Sequence, residues 1–248
     1  MKCSGKKLIL NITIFLVAAI FLFAGFSIFV DQAVFVRSGT FYRAKTDEKV
    51  IALTFDDGPS PKWTPLILDE LKESGVKATF FMIGKYVEKY PDVAKRITAE
   101  GHDVGIHTFH HAVLLFSPPG YLEKEIKDTE AVIKDVTGKT TKLFRPPKAW
   151  LTAKEKREIN GLGYKIILWS LSSKDWVRFH DKQIRRYILN NVRPGDIVLF
   201  HDAGGAFKIE GGNRKQTTKT LPRLIEKLRE KGYRFVTISE LLELDKKQ

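Results

Sequence analysis

The chain has 248 residues, of which 43% are hydrophobic and 29% charged, and its 42 Lys and Arg against 29 Asp and Glu give a formal net charge of +13. This composition excludes a disordered chain and suits one large domain with an appendage. The basic excess favours anionic partners such as an acidic polymer or lipid headgroups. Nucleic acid is not expected, because the cations are mixed with Asp and Glu along the chain and no basic arm, helix-turn-helix or aromatic RNA-binding strand is present.

At the start, Lys2, Lys6 and Lys7 precede an uncharged stretch over residues 8–30. That stretch exceeds the ~20 residues a helix needs to cross a bilayer and is longer than the ~7–15-residue core of a signal peptide. No clean small-x-small cleavage site follows it. The expectation is a cytoplasmic stub and single-pass transmembrane signal anchor over 1–31, with a cleaved signal as the alternative. The lysines belong on the cytoplasmic side, so the rest of the chain is expected outside the cell membrane. The sole cysteine, Cys3, rules out an intrachain disulfide. Residues 32–48 read as a tether and 49–248 as the main folded domain.

From residue 49 onward, strand-like and helix-like segments alternate. Strands are expected over 50–55, 78–82, 103–106, 143–144, 166–169, 197–200 and 233–236. Helices are expected over 64–73, 87–99 (opened by Pro91 and Asp92), 122–136 (closed by Gly138), 152–160, 184–191 and 218–230, with Ser239 capping a last short one. Such alternation implies an α/β fold with a parallel sheet, and about seven strands favour a closed or nearly closed barrel over an open sheet. Sites in such folds lie at the carboxyl ends of the strands.

Four clusters fall at those ends. Asp56 and Asp57 follow the first strand and precede Gly58-Pro59. Adjacent carboxylates repel, so ionising both calls for a cation, although Asp-Gly-Pro also suits a plain turn. His107 and His111 are one helical turn apart, within reach of one ion, with His110 an alternative to His111 and His102 nearby. Two imidazoles and a carboxylate leave a metal position open for water, as in catalytic zinc sites. The same set suits a non-haem iron oxygenase, but a carboxylate from another strand beside a second aspartate favours hydrolysis. Arg145, before two prolines, can hold a carboxylate by a forked pair of bonds. His201, after an apolar strand, can give a proton to a leaving amine. Asp175 and Trp176 could orient that histidine and wall the pocket, and Asp202 could cap the next segment.

These motifs, in this order, resemble the polysaccharide deacetylase family, also called the NodB homology domain or carbohydrate esterase family 4. The resemblance spans residues 49–242 and implies a distorted (β/α) barrel of about seven parallel strands, consistent with the alternation. It implies Asp56 as catalytic base, Asp57, His107 and His111 as metal ligands, Arg145 as the residue positioning the base, and His201 as general acid. Asp175 and Trp176 match the fourth motif and Leu199 belongs to the fifth. Lys148 would supply a backbone oxyanion donor, and Lys148, Trp176 and Leu199 would meet substrate. One divalent ion is implied, zinc first, with cobalt or manganese as alternatives. Two departures stand out. Lys148-Ala149 replaces the usual aromatic-Gly, and Ser172 or Ser173 stands where an earlier aspartate is common. The expected activity is hydrolytic N-deacetylation of amino sugars in a cell-wall glycan, peptidoglycan before chitin-like oligomers, with no protein partner. The alternatives are deformylation or deacetylation of a lipid-linked sugar, and a non-catalytic carbohydrate-binding wall protein.

Overall fold

The computed structural model describes residues 11–15, 32–177, 180–204 and 212–246. Most of the apolar stretch expected to anchor the chain lies outside them. Among the described residues no helix is long and apolar enough to cross a membrane.

A curled parallel sheet forms the centre. In chain order its strands are β1 (Val50–Asp56), β2 (Thr79–Met82), β3 (Asp103–Ile106), β4 (Leu143–Phe144), β5 (Lys165–Ile166), β6 (Leu171–Ser172), β7 (Ile197–His201) and β8 (Arg234–Phe235). Seven of them run in the order β5-β4-β3-β2-β1-β7-β6, and β8 adds to β1 off that path. β1 lies in the middle and is buried at every residue. This fits its near-continuous apolar sequence, since a central parallel strand is covered on both faces. The result is a half-barrel of parallel strands. The segment read as a tether joins it through two isolated bridges, Phe41 with Ile167 just after β5 and Arg43 with Asp196 just before β7.

Around the sheet lie α1 (Trp63–Glu73), α2 (Gly84–Lys89), α3 (Pro91–Ala99), α4 (Tyr121–Thr137), α5 (Ala153–Gly161), α6 (Asp181–Asn191), α7 (Lys215–Glu230) and α8 (Ile238–Lys246). Their local signals act as chemistry requires. Gly138 closes α4 in the left-handed conformation, and Thr152 opens α5 with a full capping box.

Three expectations are corrected. The single helix over 87–99 is two, α2 and α3, broken at Tyr90 (φ −130°), because a residue before proline avoids the helical region. The last helix is capped by Thr237, whose hydroxyl accepts the N–H of Glu240 while the Glu240 carboxylate accepts that of Thr237; the Ser239 N–H binds Asp103 instead. The expected strand over 166–169 stops at Ile166. The carbonyls of Ile167 and Leu168 accept hydrogen bonds from the buried Arg145 guanidinium, so only their N–H groups pair with backbone, at Phe144 and Phe41. β6 follows as a separate strand.

Candidate active site

The rim at the carboxyl ends of the strands gathers most of the chemistry-bearing side chains. Asp56 ends β1 and is in register with His201, the last residue of β7. Neighbouring parallel strands are ~4.8 Å apart, so these two residues, distant in sequence, stand side by side. His107 follows β3 and its N–H binds the Met82 carbonyl, while Arg145 follows β4 and its N–H binds the Ile106 carbonyl. Asp175 follows β6, a strand later than expected.

At the centre, a carboxylate oxygen of Asp57 and one nitrogen each of His107 and His111 lie within 4.8 Å of one another. Asp57 Oδ1 is 3.4 Å from His107 Nε2 and 3.2 Å from His111 Nε2. The two histidines do not sit on a helical turn. A loop brings them together, with Thr108 (φ 63°) and His111 (φ 59°) in the left-handed region. Asp57 is also left-handed (φ 78°), which turns its side chain away from that of Asp56. The donor set fits a divalent cation on a local argument. His107 Nδ1 lies 2.7 Å from the Arg145 carbonyl, and a carbonyl only accepts. Nδ1 therefore carries the proton, and in the neutral ring the Nε2 lone pair faces a carboxylate. Positive charge must lie between them, as a proton or as a metal ion. The Asp57 carboxyl is held well below the usual carboxylate range: burial opposes this, but the hydrogen bonds and charges of the imidazoles prevail.

On one flank Asp56 Oδ1 accepts from Arg145 Nη1 at 2.7 Å. The guanidinium is fully buried and every arm is used. Nη1 also binds Thr54 Oγ1 (2.8 Å), Nε the Ile167 carbonyl and Nη2 the Leu168 carbonyl (both 3.2 Å). It lies 3.9 Å from the centre of the Phe81 ring. Phe81 in turn packs on Gly105, where an added Cβ would come within 2.5 Å of the ring. Burial pulls the guanidinium pKa down against Asp56, from a starting value high enough to keep it charged. Asp56 therefore has one carboxylate oxygen fixed, while Oδ2 faces the triad 4.0 Å from His107 Nε2.

On the other flank the roles invert. Asp175 Oδ1 holds His201 Nδ1 at 2.7 Å. Its Oδ2 accepts the His201 N–H and the Thr217 hydroxyl (3.0 and 2.6 Å), with Arg214 Nη1 at 3.9 Å. Burial would raise the Asp175 pKa, yet His201 and Arg214 bring it down to about 2. For His201, burial disfavours the charged ring but the Asp175 carboxylate outweighs it, so the pKa is raised. The imidazole is thus kept as a proton donor with Nε2 outward.

The remaining histidines separate clearly. His102 is buried behind the sheet, its Nδ1 accepting the Ala78 N–H, and burial with Lys77 nearby lowers its pKa to about 4; it is structural. His110 turns away from the triad and binds Glu125 Oε1 at 2.7 Å. Glu125 is a residue the sequence reading missed. Its buried carboxylate also accepts the N–H groups of Phe109 and His110, both at 2.9 Å, and so clamps the loop between the two ligand histidines. The available signal was its place beside the inward stripe of Leu122, Ile126, Thr129 and Ile133 on α4. Thr217 and Arg214 were missed as well, and nothing local marks them; Thr54 opens the motif that holds Asp56 and Asp57, but its hold on Arg145 is a tertiary contact.

The expected substrate-facing residues are more dispersed. Lys148 adopts a left-handed backbone (φ 58°) with an exposed side chain, its ammonium 5.5 Å from the Trp150 ring centre. Trp176 is half-buried in the turn after Asp175. Leu199 is buried within β7, its carbonyl accepting the Ser173 N–H. Asp202 is no cap. It is buried against Gly58, accepts the Thr64 hydroxyl at 2.5 Å, and donates its own N–H to the Asp56 carbonyl. Burial, with the nearby carboxylates of Asp57 and Asp56, pushes it up to about 7 against the Thr64 hydrogen bond.

Comparison with known proteins agrees with this geometry. The family model "Polysaccharide deacetylase" matches residues 43–167. A peptidoglycan-N-acetylglucosamine deacetylase of Bacillus cereus is 38% identical over 198 residues, covering 79% of this chain and 89% of that protein. A chitooligosaccharide deacetylase of Rhizobium leguminosarum bv. trifolii is 37% identical, covering 77% and 90%. The crystal structure of a peptidoglycan N-acetylglucosamine deacetylase superposes with a TM-score of 0.77 at 32% identity, covering 82% of this chain and 92% of that one.

Proposed function

The chain belongs to the polysaccharide deacetylase family, and we propose on that premise that it hydrolyses the N-acetyl amide of amino sugars in a cell-wall glycan, peptidoglycan before chitin-like oligomers. One observation carries the reading. A carboxylate–diimidazole triad stands between a carboxylate held by a buried cation and an imidazole held by a buried carboxylate.

Asp57, His107 and His111 would hold a divalent ion, with zinc favoured by the imidazole-rich donors and cobalt or manganese as alternatives, and the ion would supply Lewis acidity toward water and the acetamide carbonyl. Asp56 takes the proton of the attacking water. Arg145 and Thr54 fix the carboxylate's position, so the base is aimed before substrate arrives. The backbone N–H of Lys148 is assigned to the developing oxyanion. His201, charged through Asp175, passes its proton to the departing nitrogen as the C–N bond breaks. The products are the free amine and acetate.

The domain is further assigned to the extracytoplasmic face, held to the cell membrane by residues 8–30. The lysine-flanked apolar run and the lack of a cleavage site support this. Protease treatment of intact cells tests it: the domain should be cut while a cytoplasmic marker survives.

Acetate release from N-acetylglucosamine polymers and from peptidoglycan tests the reaction. Wild type should release acetate, a chelator should stop release, and added metal should restore it. Glycan binding without acetate release, in wild type and Asp56→Asn alike, would establish a carbohydrate-binding wall protein instead.

A further inference from the structure

Resting on that reading and deepening it, we infer that the cavity beside the triad receives a carboxylate-bearing sugar of the glycan strand, adjacent to the ring whose amide is cleaved. A cavity of about 490 Å³ opens between the loop after β1, the helix α2 and the loop after β7. Small-molecule sites typically enclose ~300–1,000 Å³. Pro59 in its wall follows Asp57-Gly58, and Ala203 follows His201-Asp202. The cavity therefore adjoins the loops that carry a metal ligand and the proton donor. A neighbouring sugar of the strand whose amide lies over the triad can therefore reach it.

Its lining states what it recognises. Trp63, Tyr86 and Tyr90 supply aromatic surface, with the two tyrosine rings 6.4 Å apart. Trp63 and Tyr90 are half-buried, and their faces suit the C–H edges of a pyranose. Lys62 and Lys215 also line the cavity, and among the described residues no Asp or Glu does. The Lys62 ammonium stands 4.7 Å from the centre of the Trp63 ring. Lys85 and Lys89 lie over the rings of Tyr86 and Tyr90 at 5.1 and 5.4 Å. The aromatic wall is thus bordered by ammonium groups.

Aromatic walls alone would take any sugar. The lysines discriminate, because a carboxylate gains charge-assisted hydrogen bonds there that a hydroxyl does not. In peptidoglycan alternate amino sugars carry a lactyl carboxylate or a peptide built on it. Chitin-like oligomers carry none. The occupant is therefore the lactyl-bearing sugar next along the strand, and this corner sets the preference for the acidic heteropolymer.

The test compares kcat/KM for acetate release from two substrates of equal length, a neutral N-acetylglucosamine oligomer and a peptide-free alternating oligomer bearing lactyl carboxylates. In Lys62→Gln/Lys215→Gln the ratio of acidic to neutral kcat/KM should fall about five- to tenfold, the size expected of two partly exposed ion pairs. Lys62→Glu/Lys215→Glu should lower it further. Rising salt should reduce the wild-type ratio and leave that of the glutamine variant nearly flat. An unchanged ratio, or an equal fall on both substrates, overturns the assignment of the cavity and leaves the deacetylase reading standing. Absence of acetate from both substrates with metal-loaded wild type overturns both.

Discussion

Each flank of the triad pairs a carboxylate with a basic nitrogen group, and the carboxylate has the opposite part in each. On the proposed reading, at Asp56–Arg145 the carboxylate works and the cation holds it, and at His201–Asp175 the imidazole works and the carboxylate holds it. The environments differ accordingly. The Arg145 side chain is fully buried, whereas the His201 side chain keeps 16% of its surface exposed. A base needs a fixed position and a constant charge beside it, which a buried guanidinium supplies. An acid must both receive and deliver a proton, so its ring stays near solvent while its partner is locked away. Position is what one flank provides, and protonation state what the other provides.

Four substitutions sharpen this contrast, from the largest effect to the smallest. Asp56→Asn keeps the shape and the Arg145 contact but removes the proton acceptor. Acetate release should fall by about 10²–10⁴ in kcat, with a lower unfolding temperature because the buried guanidinium loses its counter-charge. A residual rate close to wild type would show that another group is the base. Arg145→Ala should act first on stability. It leaves the Asp56 carboxylate buried without its cation and the Ile167 and Leu168 carbonyls without their donor, a loss of about 3–5 kcal/mol in denaturant titration. A cost below about 1 kcal/mol would mean that the guanidinium does not organise that flank.

Glu125→Gln tests the loop rather than either flank. The amide loses the charge that gathers two backbone N–H groups and the His110 ring. Metal affinity should drop about 10–100-fold, as for other groups that orient ligands, read by competition with a chelator. An unaltered affinity would assign Glu125 to packing alone. The subtlest effect is Asp175→Asn. His201 is raised above its ordinary value, so it remains protonated at lower pH and loses that proton as pH rises through the raised pKa. Removing the Asp175 charge leaves burial, which lowers the pKa. The alkaline limb of kcat/KM should therefore move to lower pH in the variant; an alkaline or zero displacement would separate Asp175 from the proton donor.

Much of the fold was legible because parallel strands buried on both faces announce themselves. The runs at β1 and β7 are largely apolar, and Gly138 and Thr152 mark helix ends by local chemistry. Legibility failed where a distant side chain overrode the local pattern. The run after Ile166 reads as strand, yet its carbonyls turn to Arg145. Glu125 reads as an ordinary helical acid, yet it holds a loop more than a dozen residues earlier in the chain. The corner that holds Trp63, Tyr86 and Lys215 unites three separate helices and has no contiguous motif.

By itself, then, the amino-acid order determined which residues stand at the carboxyl ends of strands, since alternation of buried strands and amphipathic helices leaves few other arrangements. It also supplied the donor types a divalent ion needs. Tertiary structure alone decided which of four clustered histidines face Asp57, which turns to Glu125 and which is buried behind the sheet. The reason is that an imidazole's role depends on what its two nitrogens meet, and those partners come from chain segments brought close only by packing.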